Sequence, residues 1–191
     1  MQQALLIVGL IAVAIHVPWT VEAEDSKVDD SFFTRFSVGS QYVGFGGALG
    51  LSNFDDYDAG DPTGGVTLRY GGRPYKSFAW EVASEYFIKF GDGNARPLLA
   101  TANGRWMIPA TFGAHGNWQP FLLAGGGWMQ ARHSKNGNFE RLDSGVIRLG
   151  TGVEMYQSID TAWRLDAQYM IPIGDASDFQ FAAILITIQL F

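Results

Sequence analysis

The sequence has three histidines and no cysteine, and its nearest approach to a catalytic pair is a histidine beside a serine. His133 and Ser134 adjoin each other in the segment RHSKNG. An imidazole within hydrogen-bond reach of a serine hydroxyl can take its proton and make the oxygen a nucleophile. Adjacent residues of an extended strand point to opposite faces, so this spacing does not favour the proton transfer. His115 lies between glycine-containing segments, and we interpret it as a turn residue or a pH-sensitive contact.

A second candidate is a group of carboxylates in the segment NFDDYDAGD. Asp55, Asp56, Asp58 and Asp61 could offer oxygen ligands to Ca²⁺. The group lacks the ligand spacing and the closing glutamate of an EF-hand, so a solvated acidic loop is the favoured interpretation. The glycines of GFGGALG do not fit a phosphate-binding pattern either. The sequence therefore predicts no catalytic residue, no metal site and no cofactor.

A third set of polar residues shares a different property, because its members occupy alternate positions in segments that are otherwise apolar or small. Alternate positions of a strand lie on one face. The set has five positive and four negative charges, and such a balance is what burial requires, since an unpaired buried charge costs several kcal/mol. We predict that these residues form a network of ion pairs. They are Arg69, Glu81, Glu85, Lys89, Arg105, Arg148, Glu154, Arg164 and Asp166.

Eight such alternating segments follow one another along the chain. Their lengths suit strands of about 9 to 11 residues that cross a membrane at a tilt. Turn-forming residues separate them, and the longest linkers, 53–62 and 132–144, fall on the same side of the predicted sheet. The sequence predicts an all-β fold, an eight-stranded antiparallel up-and-down transmembrane β-barrel. The predicted strands are 41–51, 64–72, 78–90, 97–108, 118–131, 145–157, 161–173 and 179–191.

Alternation by itself does not say which face lies inside, because a soluble lipocalin-like barrel gives the same pattern inverted. The placement of aromatic residues favours the membrane form. Trp and Tyr side chains of the apolar face collect at one end of their strands, as in an interfacial girdle, and Trp128 would mark the opposite interface. The residues at the first end are Tyr70, Trp80, Trp106, Trp118 and Trp163.

The opposite face must then fill a narrow interior, because a barrel of eight strands has just enough room inside for side chains. Glycine or alanine occupies every second position of the first strand, from Gly44 to Gly50. The charged set lies on the corresponding face of later strands. The fifth strand departs from this, since its inward residues Phe121, Leu123 and Met129 are apolar. We predict a lumen that is plugged by ion pairs and contains a small apolar pocket beside them.

Composition and the N-terminus set the remaining limits. The 191 residues suit one domain, and a net charge of -6 argues against nucleic-acid partners. The apolar run 4–15 and the small residues before 24 predict a signal peptide over 1–23, although no Lys or Arg precedes the run. The predicted organisation is a signal peptide at 1–23, a periplasmic lead or first-strand extension at 24–39, and the barrel at 40–191.

Four segments of the chain resemble the small outer-membrane β-barrel domain family, which includes the outer-membrane protein A and X barrels. They are YVGFGGALGLSNFDD, FAWEVASEYF, QPFLLAGGGWM and SGVIRLGTGVEMYQSIDTAWRLDAQY. The resemblance covers nearly all of 41–191. It implies a monomer in the bacterial outer membrane, surrounded by outer-membrane lipids and lipopolysaccharide, with no catalytic residues. Phe191 matches the family's C-terminal signal for the barrel-insertion machinery, although Gln189 replaces a usual hydrophobic residue.

The interpretation that follows is a non-enzymatic outer-membrane barrel with a structural or interaction role through its extracellular loops. One alternative is a narrow porin-like channel along the interior charges. Another is a lipid A-modifying enzyme, because RHSKNG loosely resembles the His-x-Ser of outer-membrane deacylases. A soluble ligand-binding barrel is the remaining alternative.

Overall fold

A computed structural model describes most of the predicted barrel. The described residues are 39–52, 62–90, 95–110, 112, 117–135, 138–158, 160–177 and 179–191, with backbone alone for 52, 133–135 and 138–140. The predicted signal peptide, residues 24–38 of the lead, the acidic loop 55–61 and His115 lie outside the described residues.

Eight antiparallel strands close into a barrel in which each strand pairs with its neighbours in sequence and β1 pairs with β8. The predicted fold class is confirmed. We call the end where β1 begins and β8 ends the terminal end, and the opposite end the loop end. The strands are β1 Ser40–Ser52, β2 Thr63–Tyr75, β3 Phe78–Phe87, β4 Arg96–Met107, β5 Trp118–Lys135, β6 Asn138–Tyr156, β7 Thr161–Gly174 and β8 Phe181–Leu190.

The two faces of the sheet are inverted relative to a water-soluble protein. In β2, Leu68 is 59% exposed while the neighbouring Arg69 is 1% exposed. The same alternation of exposed apolar and buried polar residues runs through the other strands. An outer surface of exposed Val, Leu and Ile side chains is favourable in contact with lipid and unfavourable in contact with water. The fold is therefore a transmembrane β-barrel.

Aromatic side chains frame this apolar surface. Trp80, Trp106, Trp118 and Trp163 are exposed at the terminal end, and Trp128 is exposed near the loop end. The positions agree with the predicted girdles, where amphipathic rings lie at the level of lipid headgroups.

No helix in the described part of the chain is long and apolar enough to cross a membrane.

The largest departure from the prediction is the hairpin between β5 and β6. The segment 132–144 was expected to be a loop, but β5 continues to Lys135 and β6 begins at Asn138. Beyond the membrane a paired ribbon needs no apolar outer face, so the hydrophobic signal fades while backbone pairing continues. Pairing of β6 with β7 starts only at Ser144. The tip of the hairpin is thus a two-stranded ribbon that extends past the rim.

A charged residue on the outer wall tests the membrane face. We expect Leu68→Arg to lower the free energy of unfolding by about 2–4 kcal/mol in lipid vesicles, because it puts a cation in hydrocarbon, and Tyr75→Arg at the terminal rim to lower it by about 0–1 kcal/mol. Urea titration followed by tryptophan fluorescence measures both. If the two variants unfold at the same urea concentration, Leu68 does not face hydrocarbon.

Candidate functional site: the charged barrel interior

The interior contains eight of the nine charged residues that the alternation assigned to it. Each is at most 2% exposed, because it lies at an inward position of its strand and its neighbours across the lumen fill the space around it. Five different strands contribute them, so the set is assembled only when the barrel closes. The eight are Arg69, Glu81, Glu85, Arg105, Arg148, Glu154, Arg164 and Asp166.

Lys89 is the exception, and its assignment to the interior was wrong. Phe87 and Phe90 are both buried, while Ile88 and Lys89 between them are both exposed. The pairing of β3 with β4 shifts by one residue between Tyr86↔Leu98 and the bridge Phe90↔Ala95. One extra residue in a strand reverses the faces of everything after it. Phe90, expected on the outer face, therefore lies inside, and Lys89 lies outside.

Glu81 is the residue on which the network converges. Its carboxylate lies 3.2 Å from a guanidinium nitrogen of Arg69 and 3.5 Å from Nε of Arg105, and it accepts a hydrogen bond from Arg164. The Tyr42 hydroxyl donates to the same carboxylate over 3.0 Å. Three arginines from three strands thus share one carboxylate, which has no contact with water.

Two further carboxylates, Glu85 and Asp166, extend the pairing toward the loop end. Glu85 accepts hydrogen bonds from Arg69 and Arg148, and Asp166 contacts both Arg69 and Arg164. Arg69 therefore bridges three acids, as Glu81 bridges three bases. In a cluster linked this way, removal of one member leaves several partners uncompensated.

At the terminal end, the network includes Arg73 and Tyr156, which the alternation of charged residues did not identify. Glu154 accepts from Arg105 and, over 2.8 Å, from the Tyr156 hydroxyl, which in turn accepts from Arg73 over 2.8 Å. Arg73 was assigned to a linker, but β2 continues to Tyr75 and Arg73 is 6% exposed. Arg73 lies four residues after Arg69 and so shares its strand face, which was the signal in the sequence that it faces the interior. Among the described residues, the interior with Arg73 in place of Lys89 again has five positive and four negative members.

Apolar rings lie against the charges on the terminal side. The guanidinium carbon of Arg164 is 4.6 Å from the ring centroid of Phe121, and that of Arg105 is 5.4 Å from it. Such cation–π contacts stabilise desolvated guanidinium groups by about 2 kcal/mol. Leu123 and Met107 pack beside Phe121. Phe121 and the residues packed beside it therefore cover the network on the side of β5.

A cluster of phenylalanines closes the lumen at the loop end. Phe87, Phe90, Phe179 and Phe181 are each at most 5% exposed, and their ring centroids lie 5.2–5.5 Å apart in successive pairs. Tilted and edge-on aromatic contacts at this distance are favourable. We call these four residues the phenylalanine cap. The cap and the ion pairs lie in series along the axis of the barrel.

The network also needs positions without side chains. A Cβ on Gly71 would lie 2.5 Å from the Tyr42 hydroxyl, and one on Gly152 would lie 2.6 Å from Cβ of Asp166. Either atom would displace a member of the network. These glycines leave room for Tyr42 and Asp166 in a lumen of fixed width.

The described residues contain no group of three or more His, Asp or Glu side chains placed to hold a metal ion. His133 and Ser134 are consecutive residues of β5, and not loop residues as expected. They take part in backbone pairing with Phe139 and Glu140 of β6.

Comparison with known proteins places this architecture among small membrane barrels. Neisserial surface protein A matches with a TM-score of 0.64 and 13% identity, over 78% of this chain and 96% of its own. Ail, the attachment invasion locus protein of Yersinia pestis, matches with a TM-score of 0.59 and 16% identity, over 80% and 98%. The N-terminal β-barrel domain of Pseudomonas aeruginosa OprF gives 0.52 and 9%, over 78% and 97%.

These identities show a shared fold. No protein-family model matches the chain, and no curated protein matches its sequence. The fold is that of the small outer-membrane barrels that the sequence resembled, and with the apolar outer wall it assigns the protein to the bacterial outer membrane.

Neutralising the central carboxylate tests the network. We expect Glu81→Gln to lower the free energy of unfolding by about 3–5 kcal/mol, because three buried guanidinium groups lose a shared counter-charge. The exposed carboxylate Asp143, paired with Arg141 on β6, provides the control, and Asp143→Asn should leave stability unchanged. The temperature at which the folded band disappears on a gel measures both. Equal temperatures for Glu81→Gln and the parent protein would contradict the shared role of Glu81.

Proposed function

We propose that the protein is a non-conducting, non-enzymatic outer-membrane barrel that holds a binding surface at its loop end. The observation that carries this proposal is the filling of the lumen. The ion pairs around Glu81 and the phenylalanine cap occupy successive levels of the same narrow interior. A barrel filled in this way acts through its outer surfaces and not through its axis.

The narrow-channel alternative needs a path along which ions meet water or mobile charges. The interior carboxylates Glu81, Glu85, Glu154 and Asp166 instead contact arginines directly, and their side chains are 2% exposed or less. An ion entering this region would have to displace a buried pair, which is strongly unfavourable. The apolar cap adds a second barrier, because phenylalanine rings offer no ligand to a dehydrated ion.

The binding surface that we propose is the β5–β6 hairpin. Its strands have 18 and 19 residues, against 10 to 14 in the other six. Among the described residues, β7 pairs with β6 only from Ser144 onward, so in this part of the chain the ribbon has an open edge beyond the rim. A free edge held on a rigid support offers backbone groups to a partner. The lipid A-modifying alternative was based on His133 and Ser134, which are adjacent backbone positions in this ribbon, and that spacing does not favour proton transfer between them.

The proposal also includes how the protein is processed and inserted into the outer membrane. Cleavage after Ala23 would release a monomer whose termini face the periplasm, and the barrel-insertion machinery would recognise the C-terminal strand. The Phe191 ring lies 5.7 Å from the ring of Tyr42, and Gln189 is fully buried. The inward register of β8 explains why a polar residue stands two positions before the C-terminus.

Electrical recording tests the closed lumen. The purified full chain, inserted into planar lipid bilayers, should give no discrete conductance steps, because the cap and the ion pairs block the axis. Faster gel migration before boiling than after serves as the control for folding. Stepwise currents from protein that passes this control would contradict the proposal and favour the channel.

Shortening the hairpin tests whether its tip is separate from the barrel. Joining Arg132 to Arg141 through Asn-Gly removes the ribbon tip and supplies a turn that suits a two-residue hairpin. We expect the unfolding temperature to stay unchanged, since the described backbone of 133–135 and 138–140 pairs only within the hairpin. A variant that no longer folds would show that the tip belongs to the barrel's own stability and is not a separate binding surface.

A further inference from the structure

Basic side chains form a row across the outer wall at the loop end. Arg96 of β4 pairs in register with Arg132 of β5, and Arg132 pairs in turn with Arg141 of β6. Lys89 and Arg96 flank the bridge Phe90↔Ala95, so Lys89 continues the row on the side of β3. Strands are about 4.8 Å apart, so four members span roughly 14 Å. We call these four residues the basic row.

The members of the basic row share the outer face. Residues directly opposite each other in an antiparallel pair project to the same side. The chain neighbours Phe90, Ala95 and Ala131 are buried in the interior, and all four basic residues are exposed. The row therefore projects from the wall toward the surrounding lipid and not over the mouth of the barrel.

The height of the row follows from the aromatic girdle. Arg132 lies four residues beyond Trp128 in β5, about 13 Å along the strand and about 10 Å along the membrane normal at the usual tilt. Leu98, two residues from Arg96 on the membrane side, is still exposed and apolar. A guanidinium group at this height lies at the level of lipid headgroups, within reach of the boundary that Trp128 marks.

Within the protein the row is electrostatically unfavourable. Like charges directly opposite each other on neighbouring strands are destabilising. Asp143 lies 2.8 Å from Nε of Arg141, and the hydrogen bonds from Arg141 and Gln130 lower its pKa. Arg96 and Arg132 have no ion-pair partner among the described residues. The whole chain has a net charge of -6, so this concentration of cations is local.

The terminal end has no comparable feature. Among the described residues, its rim has a single exposed cation, Lys76 in the turn between β2 and β3. The outer wall is therefore basic at one membrane boundary and not at the other. A difference of this kind matches a bilayer whose two leaflets differ in anionic headgroups.

We propose that the basic row binds the phosphate groups of an anionic lipid in the outer leaflet, with Arg96 and Arg132 as the principal contacts. A guanidinium group offers paired donors that match a phosphate, and two in register can hold one phosphate between them or contact two on the same headgroup. The inference rests on the proposed orientation, with the loop end outermost. A lipid is the occupant because the side chains point sideways at headgroup height.

A binding measurement on the folded full chain tests the site. The probe is purified lipopolysaccharide with its phosphates intact, compared with the same preparation after enzymatic dephosphorylation. Arg96→Gln combined with Arg132→Gln should weaken binding by about tenfold or more, and dephosphorylation should weaken binding of the parent protein similarly. The control Lys76→Gln removes one exposed cation at the terminal end and should leave affinity unchanged.

Three results would overturn the inference. The double variant could bind as tightly as the parent protein, or the parent protein could bind the dephosphorylated lipid equally well. In the third, sucrose octasulfate, a soluble polyanion, would displace bound lipopolysaccharide as effectively as unbound lipopolysaccharide does. That result would indicate a site for soluble glycans. Gel migration before and after boiling reports folding separately, and bilayer recording reports the closed lumen, so failure of the proposed function is distinguishable from failure of this site.

Discussion

The burial of charge in a lumen of fixed width is the constraint on which the rest of the structure depends. Eight strands enclose a space that side chains fill, so a charged group placed there has no access to bulk water and must be neutralised by its neighbours. Glu81 meets this requirement for arginines from three strands, and Arg69 does so for three acids. The contacts of Arg164 with Glu81 and of Arg69 with Asp166 cross the lumen and join β7 to strands with which it has no backbone pairing.

The surrounding sequence is adapted to these ion pairs. Glycines such as Gly71 and Gly152 stand where any side chain would collide with a member of the network. Phe121 covers two guanidinium groups, and the phenylalanine cap separates the pairs from the loop end. The interior thus resembles the polar half of an ordinary protein surface turned inward, while the apolar half faces lipid.

Under the proposed function, the filled interior leaves binding to the outer surfaces of the barrel. The barrel is a rigid support, and the features that differ from strand to strand are the long β5–β6 hairpin and the basic row beneath it. The two adjoin each other on the same part of the rim. A protein anchored by lipid phosphates at this point would present its hairpin at a defined height and orientation above the membrane.

The alternation of residues by itself determined the strands, their two faces and most of the interior, because a period of two follows from backbone geometry. Only the tertiary structure decided the rest. The extra residue between Phe87 and Phe90 moved Lys89 from the lumen to the outer row, and continued pairing turned an expected loop into the hairpin and brought Arg73 inside. Each of these features depends on which residue lies opposite on the neighbouring strand. The sequence of one strand does not determine its register with the next.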